Sequence, residues 1–291
     1  MIELHLGAHK TASTHLQKAL HGASAGARDI CFLGPTEMRA PEIGLEALLA
    51  RGTADPLGAE AAAALRGRIG GAAHVLLSEE NILGTAHSPK MLREGRFYPG
   101  SEVRVARLIA GIGGGPVRLH LAVRDPAGFL VSAYCQRLYA GHVLSFATFL
   151  DGLAPQAMRW SDLLERLLCV DGVDQCVLWQ YEEYQAVMPQ IVAGLLPAPL
   201  AATVRAEPGV VHPGLSHAAH AWVIAQAAAG RSPERLAREA RVLWPKVPGV
   251  AAFAPLNPAS LDASSSAYAA DVTTMAAMPR VTLLNPPDAK A

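Results

Sequence analysis

Four short strand-like runs govern what this chain can fold into. They are Ile2-Glu3-Leu4-His5-Leu6, His74-Val75-Leu76-Leu77-Ser78, Val117-Arg118-Leu119-His120-Leu121-Ala122-Val123 and Gln175-Cys176-Val177-Leu178-Trp179. The first alternates with period two, and the second is a compact apolar run that suits a strand buried on both faces. Between them lie stretches of helical composition. A helix begins at Thr14–Leu20, and residues 36–73 are rich in Ala, Leu, Glu and Arg, with breaks at Gly52 and Pro56. Residues 88–111 read as a loop and then a helix ending near Gly113-Gly114-Gly115. Further helices are predicted at 129–138, 160–168, 184–196, 215–229 and 233–244. Residues 245–262, punctuated by Pro245, Pro248, Pro255 and Pro258, read as an irregular loop, followed by a last helix at 264–278 that leads to Val281-Thr282-Leu283-Leu284. Strands that alternate with helices are joined by crossovers, and crossovers make neighbouring strands parallel. The expected fold is therefore α/β: a three-layer α/β/α arrangement with a mostly parallel sheet, formed as one domain over residues 1–291.

Composition narrows the function classes. The 25 Lys and Arg balance the 25 Asp and Glu, so no global field holds nucleic acid or an anionic membrane. An anionic ligand must be held by local groups. Cys31, Cys135, Cys169 and Cys176 form no CxxC pair and no zinc spacing, and read as reduced, mostly buried thiols. No signal-like N-terminus and no unbroken apolar stretch of about 18 residues is present. A cytoplasmic chain with no membrane span is expected.

In a parallel α/β sheet, ligands sit beyond the carboxyl ends of the strands. That rule directs attention to residues 7–14, 78–81, 124–132 and 180–183. The first segment runs Gly7-Ala8-His9-Lys10-Thr11-Ala12-Ser13-Thr14 between a strand and a helix. Backbone N–H groups and the positive end of the helix converge there. Lys10 adds a mobile charge, and Thr11, Ser13 and Thr14 add hydroxyls. The loop reads as a phosphate or sulfate cradle. A triphosphate-binding loop of the form GxxxxGK[ST] would need glycine where Leu4 and His9 stand. The second segment places Arg124 at a strand end and Ser132 on the next helix, eight residues apart across a Pro126 turn. An arginine fork and a serine hydroxyl there can meet on one oxyanion. The strand at 74–78 ends in Ser78-Glu79-Glu80-Asn81, which offers a carboxylate as a general base.

These motifs resemble those of the bacterial sulfotransferase family. The family's 5′-phosphosulfate loop has the approximate pattern HxGxxKTGTTxLQ, and this chain reads His5-Leu6-Gly7-Ala8-His9-Lys10-Thr11-Ala12-Ser13-Thr14-His15-Leu16-Gln17. It departs from the pattern at Ala12, where the family carries glycine and where a methyl group restricts φ. Arg124, the proline turn and Ser132 are similar to the family's site for the nucleotide 3′-phosphate. Tyr181-Glu182 looks like its Y-E element, for which a structural role is expected. The resemblance implies a fold like that of P-loop nucleoside-triphosphate hydrolases. It also implies transfer of a sulfuryl group from 3′-phosphoadenosine 5′-phosphosulfate to an acceptor hydroxyl or amine, with no metal. Gly7, His9, Lys10, Thr11, Ala12, Ser13, Thr14, Arg124 and Ser132 would bind the donor. Lys10 and Glu80 would carry the chemistry, Glu80 being chosen over Glu79 because the similar bacterial pattern is S-x-E. The acceptor would be a small molecule or carbohydrate, its pocket shaped by residues 36–73, 88–112 and 245–262. The late arginine-lysine-glycine element of many animal members is missing.

Two rival readings accompany this one. The first is a small-molecule kinase using ATP and Mg²⁺, with Val75–Glu80 as a strand that holds the metal. The second is a non-catalytic nucleotide-binding module, for which Ala12 is the hint. His5, His9 and His15 read as packing or exposed residues, with His9 able to touch the ligand. His212, His217 and His220 lack a carboxylate or thiolate companion for a metal.

Overall fold

The computed structural model describes residues 1–27, 29–85, 91–93, 95–205 and 214–287. Its strands are β1 (Ile2–His5), β2 (Ile30–Leu33), β3 (His74–Ser78), β4 (Leu92–Arg93), β5 (Arg96–Phe97), β6 (Val117–Val123), β7 (Val173–Gln180) and β8 (Val281–Leu283). β4 and β5 form a small antiparallel hairpin. The others make one sheet of order β2-β3-β1-β6-β7-β8, in which every pairing is parallel.

Alternation along the strands supplies two apolar faces. On one face Leu4 sits opposite Leu77 and Leu119, all fully buried, and helices 45–51, 56–69, 101–111, 126–139, 160–168 and 258–276 contribute to that core. Each such leucine contributes about 1.5–3 kcal/mol. On the other face Leu76, Ala122 and Trp179 pack with Leu16 and Leu20 of helix 13–24 and with Val187, Ile191 and Leu195 of helix 184–195. The three expected layers follow from these two cores.

The second face also carries a polar layer beneath the loop that follows β1. Glu3 accepts hydrogen bonds from His120 Nε2 at 2.7 Å and Arg118 at 3.0 Å. His5 Nδ1 meets Ser78 Oγ at 2.7 Å, and its ring stacks on Trp179 at 5.9 Å. Burial, with a smaller push from His120, lowers His5 to about 3 and leaves it neutral.

The chain departs from the sequence expectation in three places. Ile30–Leu33 forms an edge strand, although Ile-Cys-Phe-Leu is too short to show a period. Val281–Leu283, left without an assigned element by its sequence, is the opposite edge strand. The last helix spans Pro258–Ala276, because Pro258 occupies its first turn and Asn257 caps it by accepting from Ser260 N at 2.8 Å. The cysteines are free, with Cys135 and Cys176 buried, Cys31 half-buried and Cys169 exposed. Among the described residues, no helix is long and apolar enough to cross a membrane.

β1 lies between β3 and β6: from β1 the chain runs to β2 and β3 on one side, and from β3 it crosses to β6 and β7 on the other. A crevice forms at such a reversal. The segments after β1, β3, β6 and β7 all end there.

Candidate functional site

The loop after β1 owes its shape to three residues with positive φ. Gly7 has φ 44°, and a Cβ there would stand 2.5 Å from Ser13 Oγ and 3.0 Å from the His5 ring. Lys10 has φ 66°, and Ala12, the residue preceding helix 13–24, has φ 67° and ψ 16°. Ala12 thus adopts the left-handed conformation that glycine reaches without strain, at a cost of about 1–2 kcal/mol. Its carbonyl accepts from His15 N at 2.9 Å and Leu16 N at 3.1 Å, so the helix starts here with the methyl group in place. Thr11 donates to Ala8 O at 2.6 Å and is buried; Ser13 Oγ lies 3.3 Å from the same carbonyl. Gly7 and Thr11 therefore shape the loop from within. His9, Lys10, Ala12, Ser13 and Thr14 line the cavity above it.

That cavity has a volume of about 730 Å³, and Glu80, Arg124 and Ser132 line it too. The four sequence segments singled out at strand ends are brought to one place. A second cavity of about 680 Å³ lies beside edge strand β2, between His21 and Arg68, and holds no comparable group of converging side chains.

Each group is held by neighbours. The His9 ring spans Tyr98 Oη at 3.0 Å and Asn81 Oδ1 at 3.2 Å, and burial lowers its pKa despite the pull of Glu80. The Lys10 ammonium donates to Gln136 Oε1 at 3.1 Å. Burial lowers Lys10 to about 8, with Arg241 and Arg124 pushing the same way. Arg124 donates to Lys10 O at 2.8 Å, and its guanidinium covers the Tyr181 ring at 4.3 Å. Trp160 Nε1 donates to Arg124 O at 2.7 Å. Glu182 accepts from Asp125 N at 3.0 Å and from Tyr268 Oη at 3.2 Å, which ties the turn after β6 to the C-terminal helix.

The two adjacent glutamates after β3 are separated by their surroundings. Glu79 is fully buried; Arg39 forks onto it at 2.7 and 2.8 Å, and Asn81 N donates to it at 2.8 Å. Burial raises its pKa against the pull of Arg39. Glu80 faces the cavity, with Gln17 Nε2 at 3.1 Å and Arg39 at 3.3 Å. Burial alone would raise it, but His9, Gln17, its own backbone N–H and Arg39 outweigh that and lower it. Of these two glutamates, Glu80 is the one that lines the cavity.

Several cavity residues escaped the sequence analysis. Gln136 and Tyr139 follow Ser132 at helical spacings of four and seven, so the helix 126–139 presents one polar face to the cavity. That periodicity was readable. Arg39, Thr85 and Arg241 carry no local pattern. Of the segments expected to shape the acceptor pocket, 36–73 contributes Arg39, and no described residue of 245–262 lines the cavity. Residues 88–90 and 94 of the segment 88–112 lie outside the described residues, as does His212, and no described residue of that segment lines the cavity. His220 meets Tyr134 Oη at 3.0 Å and stacks on Phe253 at 3.8 Å, a packing role. Among the described residues, no group of three or more His, Cys, Asp or Glu could hold a metal ion.

No family model matches the chain, and no curated protein matches it. Among solved structures, the chain is similar to a sulfotransferase from Alicyclobacillus acidocaldarius at 16% identity and a TM-score of 0.41, covering 80% of this chain and 93% of that chain.

Proposed function

We propose that this chain is a sulfotransferase that moves a sulfuryl group from 3′-phosphoadenosine 5′-phosphosulfate to an acceptor hydroxyl or amine. The observation that carries the reading is the shared cavity, where the loop after β1, Glu80 after β3, and the Arg124 and Ser132 pair after β6 meet. In this reading residues 1–291 act as one unit, in the cytoplasm. The loop N–H groups with Ser13 and Thr14 hold the 5′-phosphosulfate, and Arg124 with Ser132 holds the 3′-phosphate. The acceptor oxygen or nitrogen attacks sulfur as the bond from sulfur to the bridging oxygen breaks. That oxygen leaves with the bond's electron pair on adenosine 3′,5′-bisphosphate, where Lys10 stabilises it. The acceptor proton passes to Glu80, which is ionised at neutral pH as a base must be. A small molecule or a carbohydrate fits as acceptor.

A kinase would need a loop hydroxyl and a nearby carboxylate for Mg²⁺. Here the hydroxyl directly after Lys10, that of Thr11, donates to Ala8 O inside the loop and does not line the cavity, so the position a P-loop uses for its metal is turned inward; Ser13, Thr14 and Glu80 are left to the anion and the acceptor in this reading. Calorimetric titration tests the donor assignment. Wild type binds adenosine 3′,5′-bisphosphate about tenfold or more tightly than AMP, the worth of a charged hydrogen bond. Arg124→Ala removes the preference. The ratio is the readout, because Arg124 also braces Lys10 O. Equal wild-type affinities would contradict the 3′-phosphate site.

A further inference from the structure

Three cations face the cavity: Lys10, Arg124 and Arg241. A fourth, Arg39, is neutralised by Glu79 and Glu80. Arg241 is different from all of them. It projects from helix 236–243, whose residues Leu236, Ala237 and Ala240 are buried and anchor it to the rest of the chain. Its guanidinium lies over the Tyr139 ring at 4.4 Å. Its Nε is buried without a hydrogen-bond partner among the described residues. Glu239, the acid of the same helix, is paired with Arg231 at 2.9 Å. Arg241 and Lys10 both line the cavity, and the Arg241 charge, after burial, helps lower the Lys10 pKa.

A buried N–H with no partner among the described residues is unfavourable unless something arrives to pair with it. An arginine fork fixed on an aromatic ring is prepared for a planar pair of oxygens. Ser132, Gln136 and Tyr139 mark one face of helix 126–139, and Ser132 and Tyr139 stand about 10 Å apart along its axis. Arg241 thus serves the end of the cavity opposite Ser132, with Lys10 between.

We infer that Arg241 is a third ligand-binding cation, which donates to a phosphate oxygen of the nucleotide on the side that Lys10 faces. This rests on the nucleotide reading of the cavity given above. Both phosphates of the donor offer the same chemistry, and the experiment separates them.

Wild type, Arg241→Gln, Arg241→Lys and Arg238→Gln are titrated with pyrophosphate, AMP and adenosine 3′,5′-bisphosphate. Arg238 is the control: it lies over the same ring at 5.2 Å but is exposed and does not line the cavity. Arg241→Gln is expected to weaken binding by about tenfold to a hundredfold. Arg241→Lys should fall between, because the charge stays and the fork is lost, and it also serves if the glutamine variant folds poorly. Arg238→Gln should bind as wild type. Loss on pyrophosphate and AMP alike assigns Arg241 to the loop-bound phosphate. Loss on the bisphosphate alone would place Arg241 at the 3′-phosphate, away from the Lys10 side, and overturn the inference. Wild-type affinity of Arg241→Gln for all three overturns the inference and leaves the nucleotide reading standing. Arginine-dependent binding of pyrophosphate, with no nucleotide bound by wild type, overturns the nucleotide reading and keeps Arg241 as an anion ligand.

Discussion

Replacing Lys10 with Ala lowers kcat for sulfuryl transfer by about 10²–10³-fold, the usual worth of a charged group aimed at a leaving oxygen. The assay uses labelled donor and an acceptor found by screening with it. The loss falls on kcat because the charge on the bridging oxygen grows as the bond to sulfur breaks. The fold survives, since among the described residues the side chain makes one hydrogen bond, to Gln136. Alanine is the correct probe; glycine would also relax the positive φ at this position. A pH dependence accompanies the rate effect. Burial first, then Arg241 and Arg124, place the Lys10 pKa at about 8. A bound anion raises it, so binding takes up a proton wherever free Lys10 is neutral. Donor affinity is then level below about pH 8 and falls above it by up to tenfold per pH unit. Lys10→Ala shows no such fall. An active Lys10→Ala enzyme, or a wild-type affinity that stays level through pH 8, would contradict the role assigned to this residue.

Glu80→Gln lowers kcat by about 10²–10⁴-fold, the range for loss of a positioned base, and leaves donor affinity near wild type. The adjacent variant behaves differently. Glu79→Gln breaks the fork with Arg39, whose side chain is 48% exposed, and so costs about 1–3 kcal/mol of stability with little effect on chemistry. Rate assays and chemical denaturation of the two variants separate the roles. A folded but inactive Glu79→Gln beside an active Glu80→Gln would move the base by one residue. Full activity in both would remove the base from this strand end.

The sequence revealed those elements that carry a period and those sites that sit within a few residues of a strand end. β3 and β6 read true because each is an apolar run bounded by a glycine or proline break. The loop Gly7–Thr14, Glu80 and Arg124 were visible because the architecture itself says where a parallel sheet binds ligands. β2 was hidden because four residues at an edge need no pattern beyond being apolar. The start of the last helix was hidden because Pro258 reads as loop when its capping by Asn257 is overlooked. Arg39 and Arg241 were hidden for a different reason. Arg39 follows the short helix 35–38 and Arg241 lies on the late helix 236–243, and only tertiary packing decides which arginines turn inward. Tyr139 fixes one of them, and Glu79 with Glu80 fixes the other.

A crystal structure with adenosine 3′,5′-bisphosphate soaked into the cavity tests the central claim directly and needs no acceptor. The account predicts the 5′-phosphate in the loop, against the Lys10 ammonium and the N–H groups leading into helix 13–24, and the 3′-phosphate between Arg124 and Ser132. The open side of the 5′-phosphate then faces Glu80. A nucleotide bound outside this cavity, or one whose 5′-phosphate points away from both Lys10 and Glu80, would contradict it.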